Sequence, residues 1–230
     1  MNQIDLNVDI GEGFPFDEAL LEFATSANVC CGEHAGSQEL TMHTVEICRA
    51  RGIRVGAHPG YPDRQNMGRK TPDAALLAHY LASVKDQVSR FIQAFGAAYV
   101  KPHGAFYNDA AQRPEAGHTS VQVALGEILR SHRLPLMGMY ASAHAQIADR
   151  AGVLLIHEGF ADRSYDAEGQ LVSRSQPNAI LQDEAKIARQ VLFLAERVDS
   201  ICLHGDTPDA LRIAELVRKT LADAGYEVRA

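Results

Sequence analysis

At 230 residues, with 46% hydrophobic and 22% charged side chains, the chain has a globular composition that excludes disorder and collagen-like repeats, and no apolar run approaches the ~18 residues needed to cross a bilayer. Twenty-nine acidic against 22 basic residues give a formal charge of -7 with no Lys/Arg cluster, which argues against a nucleic-acid partner. Cys30, Cys31, Cys48 and Cys202 form no C-x-x-C pair and read as reduced, and the opening residues Met1-Asn2-Gln3-Ile4-Asp5 carry no leader pattern, so a cytoplasmic location is expected.

In chain order, short β-branched or apolar runs alternate with stretches of helical period, as in βα units around a parallel sheet. Strands are predicted at Ile4 to Ile10, Ser26 to Cys31, Ile53 to His58, Ala98 to Lys101, Leu134 to Gly138, Val153 to Glu158 and Ser200 to His204. The longest helix is predicted from an apolar stripe of Leu77, Leu81, Val84, Val88, Phe91 and Phe95, opened by Thr71-Pro72 and closed by Gly96. Others are predicted over Ser37 to Arg51, from about Pro114 to Arg130, over Ser142 to Ala151, after Asp183, and from Thr207-Pro208 to Gly225. Seven strands are one short of a TIM barrel, so the expected fold is α/β, an irregular seven-stranded (β/α) TIM-like barrel. Neither G-x-G-x-x-G nor G-x-x-x-x-G-K-[ST] occurs, which removes the usual dinucleotide and P-loop readings. Without a Pro-, Gly- or Ser-rich linker, residues 1–230 read as a single domain.

The unusual polar residues concentrate at the C-terminal ends of these strands, where α/β barrels build their sites. Four of the ten histidines, His34, His58, His103 and His204, fall there, each followed directly or after one residue by glycine. One strand-end histidine is usually a structural cap; four on one rim, interleaved with carboxylates, predict a shared polar pocket. Asp9 and Glu12 are candidate general bases or metal ligands. Lys101 follows Tyr99-Val100 and should aim its ammonium into the barrel mouth, with a salt bridge to Glu158 or Asp9 as the plain alternative. Asp162-Arg163 sets a carboxylate beside a guanidinium fork suited to carboxylate or phosphate, and Gly68-Arg69-Lys70 is a weaker anion-binding turn.

Six motifs, in order, carry a resemblance: Asn7-x-Asp9-x-Gly11-Glu12, Ser26-Ala27-Asn28-x-x-Cys31-Gly32-x-His34-Ala35-Gly36, Gly56-Ala57-His58-Pro59-Gly60-Tyr61-Pro62-Asp63, Val100-Lys101-Pro102-His103-Gly104-Ala105-x-Tyr107-Asn108, Phe160-Ala161-Asp162-Arg163-x-Tyr165 and Cys202-x-His204-Gly205-Asp206. Together they resemble the LamB/YcsF family, the A subunits of 5-oxoprolinase. The resemblance implies a barrel related to the polysaccharide deacetylase type of fold, working with partner subunits B and C in the ATP-dependent opening of 5-oxo-L-proline, a small lactam, to L-glutamate. On that reading Asp9, Glu12, His58, Lys101 and His103 carry catalysis. Asn28, His34, Asp63, Tyr107, Asn108, Asp162, Arg163, His204 and Asp206 would bind substrate. ATP is the expected cofactor, and a divalent metal is open, with His34, His58, His103 and His204 as candidate ligands. Glu33, Ser37 and Lys70 stand where the family usually has phenylalanine, aspartate and arginine, which moves a carboxylate and opens a shift in ligand preference. Two other readings compete: a stand-alone metal-dependent hydrolase such as a deacetylase, and a non-enzymatic sensor with a degenerate site.

Overall fold

Side chains along the first strand, β1 (Asn2–Ile10), alternate strictly: Ile4, Leu6, Val8 and Ile10 are buried in an apolar layer, while Asp5, Asn7 and Asp9 point the other way. In the computed structural model, which describes residues 2–112, 119–174, 176–207 and 209–230, this strand is the centre of a parallel sheet. The remaining strands are β2 (Ser26–Cys30), β3 (Arg54–His58), β4 (Leu136–Met139), β5 (Leu155–Phe160), β6 (Ser200–His204) and β7 (Tyr226–Val228), and the order is β3-β2-β1-β6-β5-β4, with β7 beside the start of β1.

The ring is closed by one residue. Val100 bridges Ala57 of β3 and Leu136 of β4, with Lys101 N donating to the Ala57 carbonyl at 2.9 Å and Met137 N to the Val100 carbonyl at 2.9 Å. The strand expected over Ala98 to Lys101 therefore shrinks to a single bridge; Pro102, which has no N–H to extend the ladder, follows at once. Six strands and Val100 form the curled parallel sheet of an irregular α/β barrel.

Eight helices surround it among the described residues: α1 (Asp17–Leu20), α2 (Gln38–Ala50), α3 (Ala74–Phe95), α4 (Gly104–Ala111), α5 (Ser120–His132), α6 (His144–Ala151), α7 (Glu184–Ala195) and α8 (Ala210–Asp223). The stripe on α3 buries Val84, Val88 and Phe91, each worth about 1.5–3 kcal/mol, but Asp73 rather than Thr71 is its N-cap; Thr71 donates instead to Asp109 at 2.8 Å. The expected helix start at Pro114 and the expected N1 residue Pro208 lie outside the described residues; α5 begins at Ser120 behind a Thr119–Gln122 capping box. All four cysteines are free, and no helix among the described residues is long and apolar enough to cross a membrane.

Inside the ring the packing is polar. Asp5 accepts from Thr25 at 2.6 Å, Ser26 at 2.8 Å and Ser200 at 2.5 Å; Asn7 donates to Ser200 at 2.7 Å and accepts from Asn28 at 2.7 Å; Asn28 also donates to Asp9 at 2.8 Å. This column runs from the floor, where Arg54 meets Asp5, up to the mouth at Asp9. Tyr99 props it by donating to Asn28 at 2.7 Å, and fits only because Gly56 lacks a Cβ, which would lie 2.1 Å from the tyrosine ring.

His144 opens α6 as a neutral core residue. Its Nδ1 accepts from Met139 N at 2.9 Å, its Nε2 is buried without a partner, and burial pushes the imidazole down to about 3. The unfolded chain then binds a proton that the folded chain refuses, so stability is full above about pH 6.5 and falls as the pH drops through that window. His144→Gln is expected to shrink the stability difference between pH 7 and pH 5 by about 2 kcal/mol, read by urea unfolding at both values. An unchanged difference would assign the acid sensitivity elsewhere.

Candidate active site

The turn after β1 is built around Asp17, whose Oδ2 accepts the N–H groups of Gly11, Glu12 and Gly13 at 2.9, 3.1 and 3.2 Å. Burial, reinforced by the charge of Glu12 and opposed by those bonds, pushes the Asp17 carboxyl up to about 6. The turn after β2 packs directly on it: Gly36 has φ +59° and a Cβ there would sit 2.1 Å from the Gly11 carbonyl, so only glycine lets the loops carrying Glu12 and His34 touch.

These turns border a cavity of 580 Å³ at the C-terminal end of the barrel, lined by Asp9, Glu12, His58, Lys101, His103, Tyr107, Asn108, Arg163, His204 and Asp206 among others. A groove of 640 Å³ beside Tyr165, Lys186 and Phe193 contains none of the rim histidines.

Lys101 sits at the base, fully buried, with Nζ 2.8 Å from Asp9 Oδ1, 2.6 Å from Glu158 Oε1, 3.1 Å from Asn7 Oδ1 and 3.1 Å from the Cys202 sulfur. Burial alone would lower the Lys101 pKa, but Asp9, Cys202 and Glu158 raise it well above the ordinary range, so the ammonium persists. Burial would also raise Asp9, yet His58 and Lys101 beside it hold its carboxyl well below the usual range. Glu12 behaves alike, with His103 and His34 overriding burial. Glu158 goes the other way: burial outweighs Lys101 and raises it, and Tyr107 donates to it at 2.9 Å. Two sequence assignments change as a result. Lys101 has its three protons committed and anchors Asp9 and Glu158, the plain salt-bridge alternative, rather than standing free in the mouth for catalysis. Asp9, held ionised, is a fixed anion more than a proton acceptor.

Around Glu12 the imidazoles of His34, His58 and His103 converge within 4.8 Å. His204 is separate from them. Its Nδ1 donates to Asp162 at 2.8 Å, its ring stacks on Phe160, and its Nε2 points toward Asp9 Oδ2 at 4.0 Å. Burial would raise the Asp162 carboxyl, but His204, together with Arg174 and Arg163, lowers it. This dyad matches the logic of a base held by an orienting carboxylate.

Several residues expected to bind substrate do something else. Asn28 lies inside the column and positions Asp9; His34 is fully buried, stacked on His103 at 3.9 Å; Asp162 lies behind His204. Asp63 is away from the cavity, where its carboxylate caps the 3-10 turn Arg64–Asn66. Arg163 lines the cavity, but its guanidinium donates to the Ala179 and Val172 carbonyls, and burial and the charge of Arg174 push it down to about 10. Glu33 pairs with Arg90 at 2.9 Å and Ser37 caps α2; neither these two nor Lys70 lines the cavity, so those departures do not reshape it.

The cationic pair that does face the cavity is Arg69 and Arg174, both bound to Asp206 Oδ2 at 2.7 and 2.6 Å, with side chains 32% and 22% exposed. Arg69 had only a weak turn signal and Arg174, isolated in its loop, had none.

The chain is 38% identical over 249 residues, covering all of both proteins, to the 5-oxoprolinase A subunit from Neisseria meningitidis. It is 39% identical over 251 residues to the one from Mycobacterium leprae, covering 99% of this chain and 98% of that one. A crystal structure of a lactam utilization protein from Thermus thermophilus superposes with a TM-score of 0.81 at 31% identity over 99% of each chain. The sequence profile of the LamB/YcsF family matches residues 4–230, and with the barrel, the six motifs and these relatives it shows that the chain belongs to the LamB/YcsF family.

Proposed function

We propose that this chain is the barrel subunit of an ATP-dependent 5-oxoprolinase, opening 5-oxo-L-proline to L-glutamate with partner subunits B and C. The full-length similarity to proteins named as the A subunit of 5-oxoprolinase carries the reading. The cavity supports it chemically, since a cyclic amide acid needs a cationic anchor, a water-activating base and a proton donor for the leaving nitrogen.

Arg69 and Arg174 hold the substrate carboxylate at the cavity edge. A lactam is stabilised by resonance, and transfer of the γ-phosphoryl group of ATP to its carbonyl oxygen removes that resistance. His204, aligned by Asp162, takes a proton from a water that attacks the ring carbon, and returns it to the ring nitrogen as the C–N bond breaks. The resulting glutamyl phosphate is hydrolysed by a second water to glutamate and phosphate. Asp9 stays ionised and stabilises the imidazolium. With no P-loop in this chain, the nucleotide is placed partly on a partner subunit.

The test combines the chain with its B and C partners and follows glutamate and phosphate with and without ATP. Strictly coupled, equimolar release is expected; ATP-independent hydrolysis by the chain alone would instead establish the deacetylase-like reading. Arg174→Gln should raise KM for 5-oxoproline at least tenfold with a smaller change in kcat, since a charged hydrogen bond of roughly 1.5–3 kcal/mol is lost in both ground and transition states.

A further inference from the structure

We propose that Glu12, His58 and His103 form a binding site for one divalent first-row transition-metal ion. The inference does not depend on the reaction proposed above.

The backbone fixes which ring nitrogens are available. His58 Nδ1 lies 2.8 Å from the Lys101 carbonyl and His103 Nε2 2.9 Å from the Met67 carbonyl, contacts that only a protonated nitrogen makes. The opposite nitrogens, His58 Nε2 and His103 Nδ1, therefore carry lone pairs in the neutral rings. They stand 3.0 Å apart and face Glu12 Oε1 at 3.8 and 3.2 Å, with Asp9 Oδ2 on the other side of His58 Nε2 at 3.5 Å. Three acceptors turned on one another repel unless a cation lies among them. Ligands 2.0–2.1 Å from a tetrahedral ion are about 3.3–3.4 Å apart, close to the mean edge of this triangle. Carbonyl acceptors behind the imidazoles are the usual supports of metal-bound histidine.

Ring orientation separates ligand from neighbour. The His58 and His103 planes cross at 88°, so both can direct in-plane lone pairs at one point; His34 lies parallel to His103 within 5° and cannot share that ion with it. His34 instead holds Glu12 through Nε2 at 3.2 Å. In the neighbouring group of Asp9, Cys202 and His204, Asp9 and Cys202 already hold the Lys101 ammonium, so the group has no need of a second cation. Of the four candidate ligands expected from sequence, His58 and His103 thus hold the metal, His34 positions Glu12, and His204 pairs with Asp162 instead. Nitrogen and carboxylate donors favour zinc, cobalt, iron or manganese over magnesium or calcium.

The test uses the full chain stripped with chelator and titrated with Co2+, then Zn2+, by calorimetry and visible absorbance. One equivalent of Co2+ should bind, giving visible d–d bands of a low-coordinate ion without sulfur charge transfer, and should raise Tm by several degrees. Glu12→Gln and His103→Asn should each weaken binding at least tenfold, with metal-free melts and circular dichroism reporting that both fold; Cys202→Ser should bind as the parent does. Failure to take up a stoichiometric ion overturns the proposal. So does loss of binding in Cys202→Ser with retention in Glu12→Gln, or an imidazolium on His58 or His103 at pH 8 that Zn2+ does not displace.

Discussion

Lys101→Met is expected to cost about 3–5 kcal/mol of stability, because it leaves Asp9 and Glu158 buried without their counter-charge. The methylenes are replaced, so the loss is one of charge rather than volume. Its pH dependence gives the cause away. Burial already raises Glu158, and without the ammonium it rises further; a carboxyl raised in the folded state contributes stability below its folded pKa that is lost as pH climbs through it. The gap between variant and parent should therefore narrow on acidification, and adding Glu158→Gln, which keeps the Tyr107 contact, should recover part of it. Urea unfolding of the parent, the single variant and the double variant from pH 5.5 to 8 decides the matter; a gap independent of pH would assign the loss to packing.

The second large effect is on turnover. His204→Gln should lower kcat in the reconstituted complex by about 10²–10⁴, the usual contribution of a positioned acid–base group. Asp162→Asn should approach that loss with little change in KM, since it misaligns the imidazole while leaving Arg69 and Arg174 in place. Both variants should melt within about 1–2 kcal/mol of the parent if acid–base chemistry is what they remove. Near-normal kcat in His204→Gln would exclude it as the proton carrier and return that duty to the histidines around Glu12.

Much of the fold was legible because hydrophobic period is a local property. The strict alternation of β1, the continuous burial of β2 and the four-three stripe on α3 each announce one element, and strand-end polar residues announce one rim. Short elements escaped for local reasons too. Helix α4 starts at Gly104 behind His103, which makes no side-chain cap, so nothing marked its onset; α1 has four residues; Val100 closes the ring alone. In the site, residue types were legible but partnerships were not. In sequence His204 is indistinguishable from His58, whereas in the fold Asp162 stands behind it; Asn28 reads as a ligand donor, whereas in the fold it is locked between Asn7 and Asp9. Arg174 carries no motif; its place depends on Asp206, 32 residues away.

The sheet order has a consequence for biosynthesis. Strand β1 belongs between the second and the sixth, and the Asn7 side chain completes its bonding only with Ser200, 193 residues later. Until β6 emerges, one flank of β1 offers bare amides to any passing strand. Nascent copies thus need shielding until that strand appears, and a message truncated before its codons yields an aggregation-prone fragment rather than a smaller barrel.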